Sequence, residues 1–522
     1  MGDEKGDSTD ELSTSDAFNS VRTVFKGGGI IFVGLILELG ISFVGKLIIA
    51  QELGPVDYGG VSLGITTASI GSILLTLGLR QGIGRYLPRY TANSERRSIL
   101  VSSFRVAIPA SISVATLGVL VAPTVARYVF DDPGLAPILR IFVIAVPFGV
   151  VMHLALGAVQ GSQRTLPKVA IQNITYPSVR FLGIIVAVLF GLGSIGVSYA
   201  YLASYICAAA GGIYYLYTRT TLFDTDIPVE NSTRELLSFS LPLVVSSAMS
   251  IILADLDMYM LGIFDGTGAV GLYNVAYPLA NLLTVGIGAF GFLFMPVLSE
   301  IDASGDTEQM SNLYQLVTKW IVFAMFPLFL VLVTFPEWTI QYTFGAEYVP
   351  SATALAVLAV GFFGHTAFGL NKNALTSLGY TRLVMIDDAT VAACNVVLNL
   401  LLIPDYGLLG AAVATTLSYA LLNTLYSFQL YRRTGVQPFT RRLVIAPVVG
   451  AAALWGGFVV LRLYWNGSFV SIVCLLTFAF IIYGVAAVRF GLDAEDVRLV
   501  LSFEERFDVD LGPVKIAARF LR

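Results

Sequence analysis

Two ionisable residues lie in the middle of long apolar runs of this 522-residue sequence. Glu38 lies within the run 27–50, and Arg180 lies at the same predicted depth within the run 169–190. If these runs cross a bilayer, each charge costs roughly 2.5–3.5 kcal/mol at its centre and needs a partner or a water-filled cavity. Two interpretations stay open. Glu38 and Arg180 form a fixed ion pair between helices, or Arg180 binds an anion with its planar fork of donors.

The composition decides what kind of fold must hold these charges. Hydrophobic residues make up 56% of the chain and charged residues only 13%, against about 25% charged residues in soluble domains. The mean hydropathy is +0.79. This balance excludes a soluble enzyme, a nucleic-acid-binding protein and a disordered chain. It predicts an all-α polytopic membrane protein, because the apolar runs are continuous over about 20 residues, the length of a transmembrane helix.

Fourteen apolar runs of this length occur along the chain. They cover residues 27–50, 57–79, 98–125, 136–160, 169–190, 195–218, 236–262, 270–298, 315–334, 351–373, 383–403, 408–430, 443–463 and 469–489. We refer to them as spans 1 to 14. Most connections between them are very short, so neighbouring spans must run antiparallel. The polar N-terminus carries no cleavable signal peptide, and we expect span 1 to direct insertion.

The basic residues of the short loops predict the orientation in the membrane. With the N-terminus inside, the outer loops hold only Arg127 and Arg462. The inner loops hold Arg80, Arg85, Arg89, Arg96, Arg97, Arg164, Lys168, Arg219, Arg234, Arg382, Arg432, Arg433, Arg441 and Arg442. The positive-inside rule therefore predicts that both termini are cytoplasmic, in a multi-pass protein of the cell membrane.

The chain also repeats itself. Glycines of the first half align with glycines of the second half at nearly constant offsets of 212, 218 and 214 residues: Gly59 with Gly271, Gly161 with Gly379, and Gly196 with Gly410. Spans 1–6 are thus predicted to recur as spans 7–12, in the same orientation because six is even. Two such lobes around a midplane cavity are typical of alternating-access transporters.

This organisation predicts six regions. They are a cytoplasmic tail with a surface helix (1–26), an N-terminal lobe (27–218), a cytoplasmic linker (219–235), a C-terminal lobe (236–430), spans 13 and 14 (431–489) and a cytoplasmic tail (490–522).

The repeat turns resemble those of a known superfamily. The segments that carry the resemblance are Asp57–Gly60, Val270–Ala276, Leu378–Arg382 and Leu408–Ala414. With fourteen spans, the chain resembles the polysaccharide-biosynthesis branch of the multidrug/oligosaccharidyl-lipid/polysaccharide exporter superfamily. The resemblance implies a flippase that moves a polyprenyl- or dolichyl-(di)phosphate-linked oligosaccharide from the inner to the outer leaflet by alternating access. It implies no bond chemistry, so we do not expect an enzyme.

The resemblance gives the basic residues a candidate role. On this interpretation Arg180 binds the lipid phosphate, and Glu38 tunes Arg180 or carries a coupling Na⁺ or H⁺. Arg80 and Arg85, near the inner end of span 2, and Lys372, at the end of span 10, are further phosphate-binding candidates. The alternative is that these inner residues only satisfy the positive-inside rule.

Three charges lie in the outer halves of two spans. Lys46 in span 1 and Asp255 and Asp257 in span 7 are at similar predicted depths, about 9–12 Å from the midplane at 1.5 Å per residue. We expect an ion pair between Lys46 and one aspartate to hold the outer gate shut. The alternative for Lys46 is a side chain that extends to the outer headgroups.

Four amide side chains complete the candidates. Gln172, Asn173, Asn395 and Asn399 could hydrogen-bond sugar hydroxyls or link helices to each other, and Asn395 and Asn399 share one helix face. His153 and His365 are far apart in sequence and lack a metal-ligand spacing. We therefore expect neither a metal nor a cofactor. The expected partners are the lipid-linked glycan, membrane lipid and, as candidates, glycan-assembly enzymes, but not nucleic acid.

Two other functions stay open. A cation-coupled multidrug antiporter of the same superfamily is disfavoured by the two extra spans and by Arg180, which would repel organic cations. A membrane-embedded glycosyltransferase or ligase is disfavoured because the longest outer loop, 335–350, holds only Glu337 and Glu347 as acidic residues.

Overall fold

The computed structural model describes residues 7–162, 164–230, 232–438, 447–449, 451–452, 455–457, 469–486 and 489. These residues form helices and turns, with no β-strand among them. Large apolar side chains stay exposed along whole helices, for example Leu120 (70%) and Leu189 (76%). Extended apolar surface of this kind is unfavourable in water and is what a lipid-facing helix presents. The predicted all-α membrane fold is therefore confirmed.

The described residues group into two compact units. Unit 1 comprises residues 1–274 and 343–347, and unit 2 comprises residues 275–342 and 348–522. The predicted lobes at 27–218 and 236–430 derive from the sequence repeat and stay a prediction.

The described residues of unit 1 form eight α-helices, one π-helix and the start of a further α-helix. They are α1 (Asp7–Leu75), α2 (Leu79–Tyr86), α3 (Asn93–Tyr128), α4 (Leu135–Gly161), α5 (Thr165–Lys168), a π-helix (Val169–Thr175), α6 (Tyr176–Leu189), α7 (Gly193–Arg219), α8 (Thr233–Phe264) and α9 (Gly266–Asn281), which continues into unit 2. Its core includes Leu79 and Ile83 of α2, Leu100 of α3, Leu154 of α4 and Leu216 of α7.

Unit 2 continues from α9. It contains a 3₁₀ turn (Leu282–Thr284), α10 (Val285–Ser304), α11 (Thr307–Thr334), α12 (Pro336–Thr343, at the border with unit 1), a second 3₁₀ turn (Ala346–Ser351), α13 (Ala352–Ala367), α14 (Asn371–Ser377), α15 (Thr381–Thr434) and α16 (Phe469–Ala486). Helix α16, the predicted span 14, is held to α11 by Tyr483, whose hydroxyl donates to the carbonyl oxygen of Phe323 at 2.9 Å. The same ring packs on Phe326.

Two helices are each long enough to contain two spans. Helix α1 is broken at Gly54 (φ 71°), and α15 is broken at Gly407 (φ 50°). Both breaks lie at predicted turns and use left-handed backbone that glycine adopts without steric cost. The described residues contain nine stretches long and apolar enough to cross a membrane, and these include the merged stretches Gly34–Leu75 and Thr381–Thr434. They are consistent with fourteen spans, and that number stays a prediction.

The repeat turns contact each other within unit 1. A Cβ on Gly59 would overlap the carbonyl oxygen of Thr267, and a Cβ on Gly271 would overlap that of Pro55. The side chain of Asn274 donates to the hydroxyl of Ser62, 212 residues earlier. The predicted offset of 212 residues converts the Gly59–Thr267 contact into the Gly271–Pro55 contact. The same offset maps the Ser62–Asn274 hydrogen bond onto itself. The packing thus follows the internal two-fold repeat seen in the sequence.

Parts of several predictions lie outside the described residues. These parts are residues 1–6 of the N-terminal tail, most of span 13 and the C-terminal tail 490–522. The backbone of residues 7–26, which includes the predicted surface helix, is the helical beginning of α1.

Candidate functional site

A group of polar side chains lies between α1, the π-helix, α6 and α7 of unit 1. We call it the Arg180 cluster, and it consists of Glu38, Ser42, Asn173, Tyr176, Arg180, Tyr201 and Tyr205. All of these residues lie within predicted spans 1, 5 and 6. The structure therefore brings the predicted candidates Arg180, Glu38 and Asn173 together.

A proline explains the local shape of the cluster. Pro177 at the start of α6 lacks an N–H group, and its ring would clash with the carbonyl group four residues earlier in a regular helix. The preceding turn, Val169–Thr175, widens into a π-helix. π-Helical turns are rare in proteins, and those that occur are often found at functional sites. Here the turn carries Gln172 and Asn173 beside α1, which packs closely because Gly34 has no side chain facing Val169 and Asn173.

Arg180 is held by neutral groups. Its Nη2 donates to Oγ of Ser42 at 2.5 Å. Its guanidinium carbon lies 5.2 Å from the ring centroids of both Tyr176 and Tyr201, which is within the range of cation–π attraction. The side chain is half-buried. The two rings and the hydroxyl thus position the cation without neutralising it.

Glu38 hydrogen-bonds to Asn173 and does not form the ion pair with Arg180 that the sequence left open as one interpretation. Nδ2 of Asn173 donates to Oε2 of Glu38 at 2.5 Å. Within the described part of the chain, Glu38 and Arg180 do not approach within the 4 Å of an ion pair, although each lies in the electrostatic field of the other. The fixed ion pair is therefore absent from this arrangement, and Arg180 keeps its charge available to an anion.

Two amide oxygens beside Glu38 are also available. Oε1 of Gln172 and Oδ1 of Asn173 are buried and have no hydrogen-bond partner among the described residues. A buried acceptor without a donor carries the cost of its lost hydration. Both oxygens are thus able to accept hydrogen bonds from water or from the hydroxyls of a ligand.

Lys46 extends the positive field outward along α1. It is half-buried, interacts attractively with Asp255 and repulsively with Arg180, and has no carboxylate within 4 Å among the described residues. Asp257 faces elsewhere, since its Oδ2 accepts from the Tyr273 hydroxyl at 2.5 Å. Of the two predicted gate aspartates, Asp255 is the one whose charge acts on Lys46.

The other phosphate-binding candidates of unit 1 lie on α2. Nη1 of Arg80 is 3.2 Å from Nδ1 of His153. The guanidinium of Arg85 stacks 4.2 Å from the ring centroid of Phe239 on α8. Neither arginine belongs to the Arg180 cluster.

Lys372 in unit 2 is already neutralised. Its Nζ forms an ion pair with Oδ2 of Asp388 at 3.1 Å, and half of its side chain is exposed. The other carboxylate oxygen of Asp388 accepts from the Tyr426 hydroxyl, and Asp387 accepts from Nε2 of Gln429 at 3.0 Å. These pairs tie the start of α15 to its second half.

Asn395 and Asn399 form a buried network in unit 2. Asn399 donates to Oδ1 of Asn395 at 3.1 Å, and Asn395 donates to Oγ of Ser418 at 3.1 Å. The exposed fractions of the two asparagines are 2% and 0%. This arrangement matches the interhelical hydrogen bonds predicted as the alternative to a glycan contact.

The sequence analysis missed four members of the cluster, namely Ser42, Tyr176, Tyr201 and Tyr205. A signal was present for the tyrosines. Tyr176 precedes Arg180 by four residues, and Tyr201 precedes Tyr205 by four, so each pair shares a helix face. Tyrosines in mid-span are also unusual, because this residue type concentrates at the membrane interfaces.

The geometry suits recognition of an anion in unit 1. Among the described residues, the half-buried cations Arg180 and Lys46 have Lys168 nearby, and the carboxylates that act on them are Glu38, held by an amide, and Asp255. None of these carboxylates forms an ion pair with Arg180 or Lys46 among the described residues. In the described residues, no group of three or more His, Cys, Asp or Glu side chains could hold a metal ion.

The amino-acid sequence of this chain is similar to those of several known proteins. Residues 24–302 match the family described as polysaccharide biosynthesis protein. The uncharacterized membrane protein MJ1068 of Methanocaldococcus jannaschii is 25% identical over 438 residues, covering 79% of this chain and 85% of the relative. The probable low-salt glycan biosynthesis flippase Agl15 of Haloferax volcanii is 23% identical over 410 residues, covering 77% and 82%.

Solved structures share the fold. The lipid II flippase MurJ in an inward closed conformation superposes with a TM-score of 0.71 at 15% identity, covering 89% of this chain and 98% of MurJ. A multidrug resistance transporter of the MATE family, facing inward, gives 0.64 at 14% identity, covering 76% and 94%. The family match over more than half of its length shows that the chain belongs to the polysaccharide biosynthesis family.

Proposed function

We propose that this membrane protein moves a polyprenyl- or dolichyl-(di)phosphate-linked oligosaccharide from the inner to the outer leaflet. The observation that carries the proposal is the state of Arg180. It is a half-buried guanidinium inside a predicted span, held by Ser42 and two tyrosine rings, and no carboxylate of the described residues forms an ion pair with it. A lipid-linked phosphate supplies the anion that such a fork binds best.

The rest of the cluster fits a glycan attached to that phosphate. The free oxygens of Gln172 and Asn173 accept hydrogen bonds from sugar hydroxyls. The charged headgroup crosses through the protein while the acyl chain stays in lipid, since an unaccompanied phosphate and its hydroxyls would be costly in hydrocarbon. The protein binds and releases its substrate without breaking a covalent bond.

Energy coupling has a candidate in the same cluster. Glu38 is the carboxylate within a span that lies beside Arg180, and its Asn173 contact leaves one oxygen for a Na⁺ or a H⁺. We place the protein in the cell membrane with both termini in the cytoplasm, following the basic loops.

Gene deletion tests the function directly. Without the flippase, finished lipid-linked glycan should accumulate on the inner leaflet, where it is protected from an impermeant oxidant in sealed right-side-out vesicles. Surface glycoconjugate should fall in parallel. Normal glycans together with altered drug sensitivity would favour a multidrug antiporter instead.

Complementation then tests the site. The wild-type gene should restore glycan export, and Arg180→Ala should not, although the variant should still insert and fold. Arg140→Ala is the matched control, because Arg140 is an exposed arginine of α4 whose Nε donates only to the carbonyl oxygen of Val119 at 3.3 Å. Export by Arg180→Ala at the level of Arg140→Ala would reject the phosphate-binding role.

A further inference from the structure

A second basic site lies in unit 1, apart from the Arg180 cluster. It is a cavity of about 410 Å³ where the ends of α3, α4 and α7 meet. That volume is within the range of small-molecule pockets. Its polar lining consists of Asn93, Arg96, Arg164, Arg219 and three threonines, and its apolar lining consists of Leu87 and Leu100.

The three arginines come from three separate segments of the chain. Arg96 lies in the first turn of α3, Arg164 follows the end of α4, and Arg219 is the last residue of α7. All three belong to loops that the sequence predicts on the cytoplasmic side. No carboxylate lines the cavity among the described residues.

The hydrogen bonding of these three guanidiniums differs from that of the neighbouring Arg97. Across the described ranges, Arg96, Arg164 and Arg219 make no hydrogen bond or ion pair through their side chains. Arg97 shows the contrast, because its Nε donates to the carbonyl oxygen of Leu222 at 3.4 Å and its Nη1 donates to that of Ile227. Arg97 therefore fastens the linker beside the cavity, whereas its neighbour Arg96 points to the space itself.

The position of Arg96 raises the local positive potential further. The N-terminus of a helix carries a partial positive charge, so a cation there is unfavourable and an anion is favourable. Arg219 lies at the C-terminus of α7, where the partial negative charge of the helix dipole stabilises a cation even without a ligand. Together with the backbone of the first turn of α3, the three arginines form a concave site that lacks only an anion.

The floor of the cavity is apolar, and exposed aromatic rings lie near its rim. Leu87 and Leu100 are core residues with exposed fractions of 2% and 1%. Close by, the exposed rings of Tyr217 and Phe223 lie 6.0 Å apart, and exposed aromatic residues are typical of the membrane–water interface.

We propose that this cavity binds a phosphate-bearing anion at the cytoplasmic membrane surface through Arg96, Arg164 and Arg219. The hydroxyl of Thr221 and the amide of Asn93 add neutral donors. The phosphate belongs either to the headgroup of an anionic membrane lipid or to a free phosphate compound. The site is separate from the Arg180 cluster, so it does not rest on the proposed transport function.

Binding to the purified full-length protein in neutral maltoside detergent tests the proposal. The probes are dihexanoyl phosphatidylglycerol, dihexanoyl phosphatidylcholine, inorganic phosphate and pyrophosphate. We expect the triple variant Arg96→Gln/Arg164→Gln/Arg219→Gln to bind the preferred anion roughly tenfold or more weakly, since it loses several charge-assisted hydrogen bonds. Arg432→Gln, which removes an exposed arginine of α15, should bind within about twofold of wild type.

The probes distinguish the two sources of phosphate. Tight binding of phosphatidylglycerol with weak binding of both inorganic anions assigns a lipid headgroup. Equal or tighter binding of phosphate or pyrophosphate assigns a free phosphate compound. If the triple variant fails to fold, Arg164→Gln/Arg219→Gln, which changes only exposed side chains, carries the test. Failure of wild type to bind any probe, or equal binding by wild type and the folded variants, overturns the proposal.

Discussion

The helix pair that holds Arg180 in unit 1 and the helix pair that the sequence repeat aligns with it in unit 2 carry different polar side chains. The offset between Gly196 and Gly410 aligns Tyr205 with Tyr419 and Tyr201 with Thr415. In unit 1 the pair holds a half-buried cation between tyrosine rings. In unit 2 it holds the neutral network of Asn395, Asn399 and Ser418.

This difference separates polar residues suited to binding a substrate, in unit 1, from polar residues that hold helices together, in unit 2. The aligned turns both use a left-handed glycine, Gly193 and Gly407. The polar side chains do not repeat, because unit 1 places a cation between aromatic rings whereas unit 2 places amides that hydrogen-bond to each other and to Ser418. We therefore expect substitutions in unit 1 to impair transport and substitutions in unit 2 to impair stability.

Removing both charges of the Arg180 cluster should have the largest effect on transport, because it makes this site as neutral as the Asn395–Asn399 network of unit 2. In the double variant Glu38→Gln/Arg180→Gln, both charges are lost; the first change keeps the size of the side chain and the second replaces the guanidinium by a shorter, neutral amide. We expect transport to fall by about 100-fold or more, because charge-assisted hydrogen bonds to the substrate phosphate disappear. The measurement is export of lipid-linked glycan, with the size-exclusion profile as the control for folding. Recovery of normal export in this variant would show that the two charges serve only each other.

Breaking the Asn395–Asn399 network of unit 2 should lower the stability of the fold and leave transport nearly unchanged. Asn395→Ala leaves Nδ2 of Asn399 without its acceptor and removes the donor to Oγ of Ser418, which still donates to the carbonyl oxygen of Ala414. We expect a loss of about 1–3 kcal/mol in the free energy of unfolding, measured by thermal unfolding in detergent, with transport per folded molecule nearly unchanged. Loss of transport at normal stability would argue that Asn395 contacts the glycan.

Substitution of Lys46 tests whether its attraction to Asp255 helps to hold the predicted outer gate shut. Removing its attraction to Asp255 should shift the population toward an outward-open state by up to about tenfold, since about 1.4 kcal/mol is enough for that change. A cysteine at Ser62, which accepts from Asn274 in this structure, should react faster with an impermeant thiol reagent in Lys46→Ala than in the parent. Arg127→Ala, at an outer loop, is the control. Equal rates in all three proteins would remove Lys46 from the gate.

Lys372 should show the smallest effect. Its ion pair with Asp388 is half-exposed, and exposed pairs contribute about 0–1 kcal/mol. Lys372→Ala should change the unfolding temperature and transport only slightly. A transport loss as large as that of the Glu38/Arg180 double variant would contradict the contrast between the units and make Lys372 a substrate contact.

Several features of the fold were predictable because they depend on local patterns. Hydropathy identified the helices, and the glycine offsets related the turns around Gly59 and Gly271, although they did not predict that these turns contact each other. The breaks of α1 at Gly54 and of α15 at Gly407 lie at the turns that the sequence predicts between spans 1 and 2 and between spans 11 and 12. Glycine adopts this left-handed backbone without steric cost, so the breaks depend on a local signal.

The sequence by itself determined that the chain is a helical membrane protein with an internal repeat, and which charged residues lie within its spans. Only the tertiary structure decided their partners: Arg180 is held by Ser42 and tyrosine rings, Glu38 by Asn173, and Lys372 by Asp388. It also brought Arg96, Arg164 and Arg219 to one cavity. Apolar periodicity is a property of each helix alone, whereas contacts between polar side chains depend on how each helix is rotated and kinked against its neighbours.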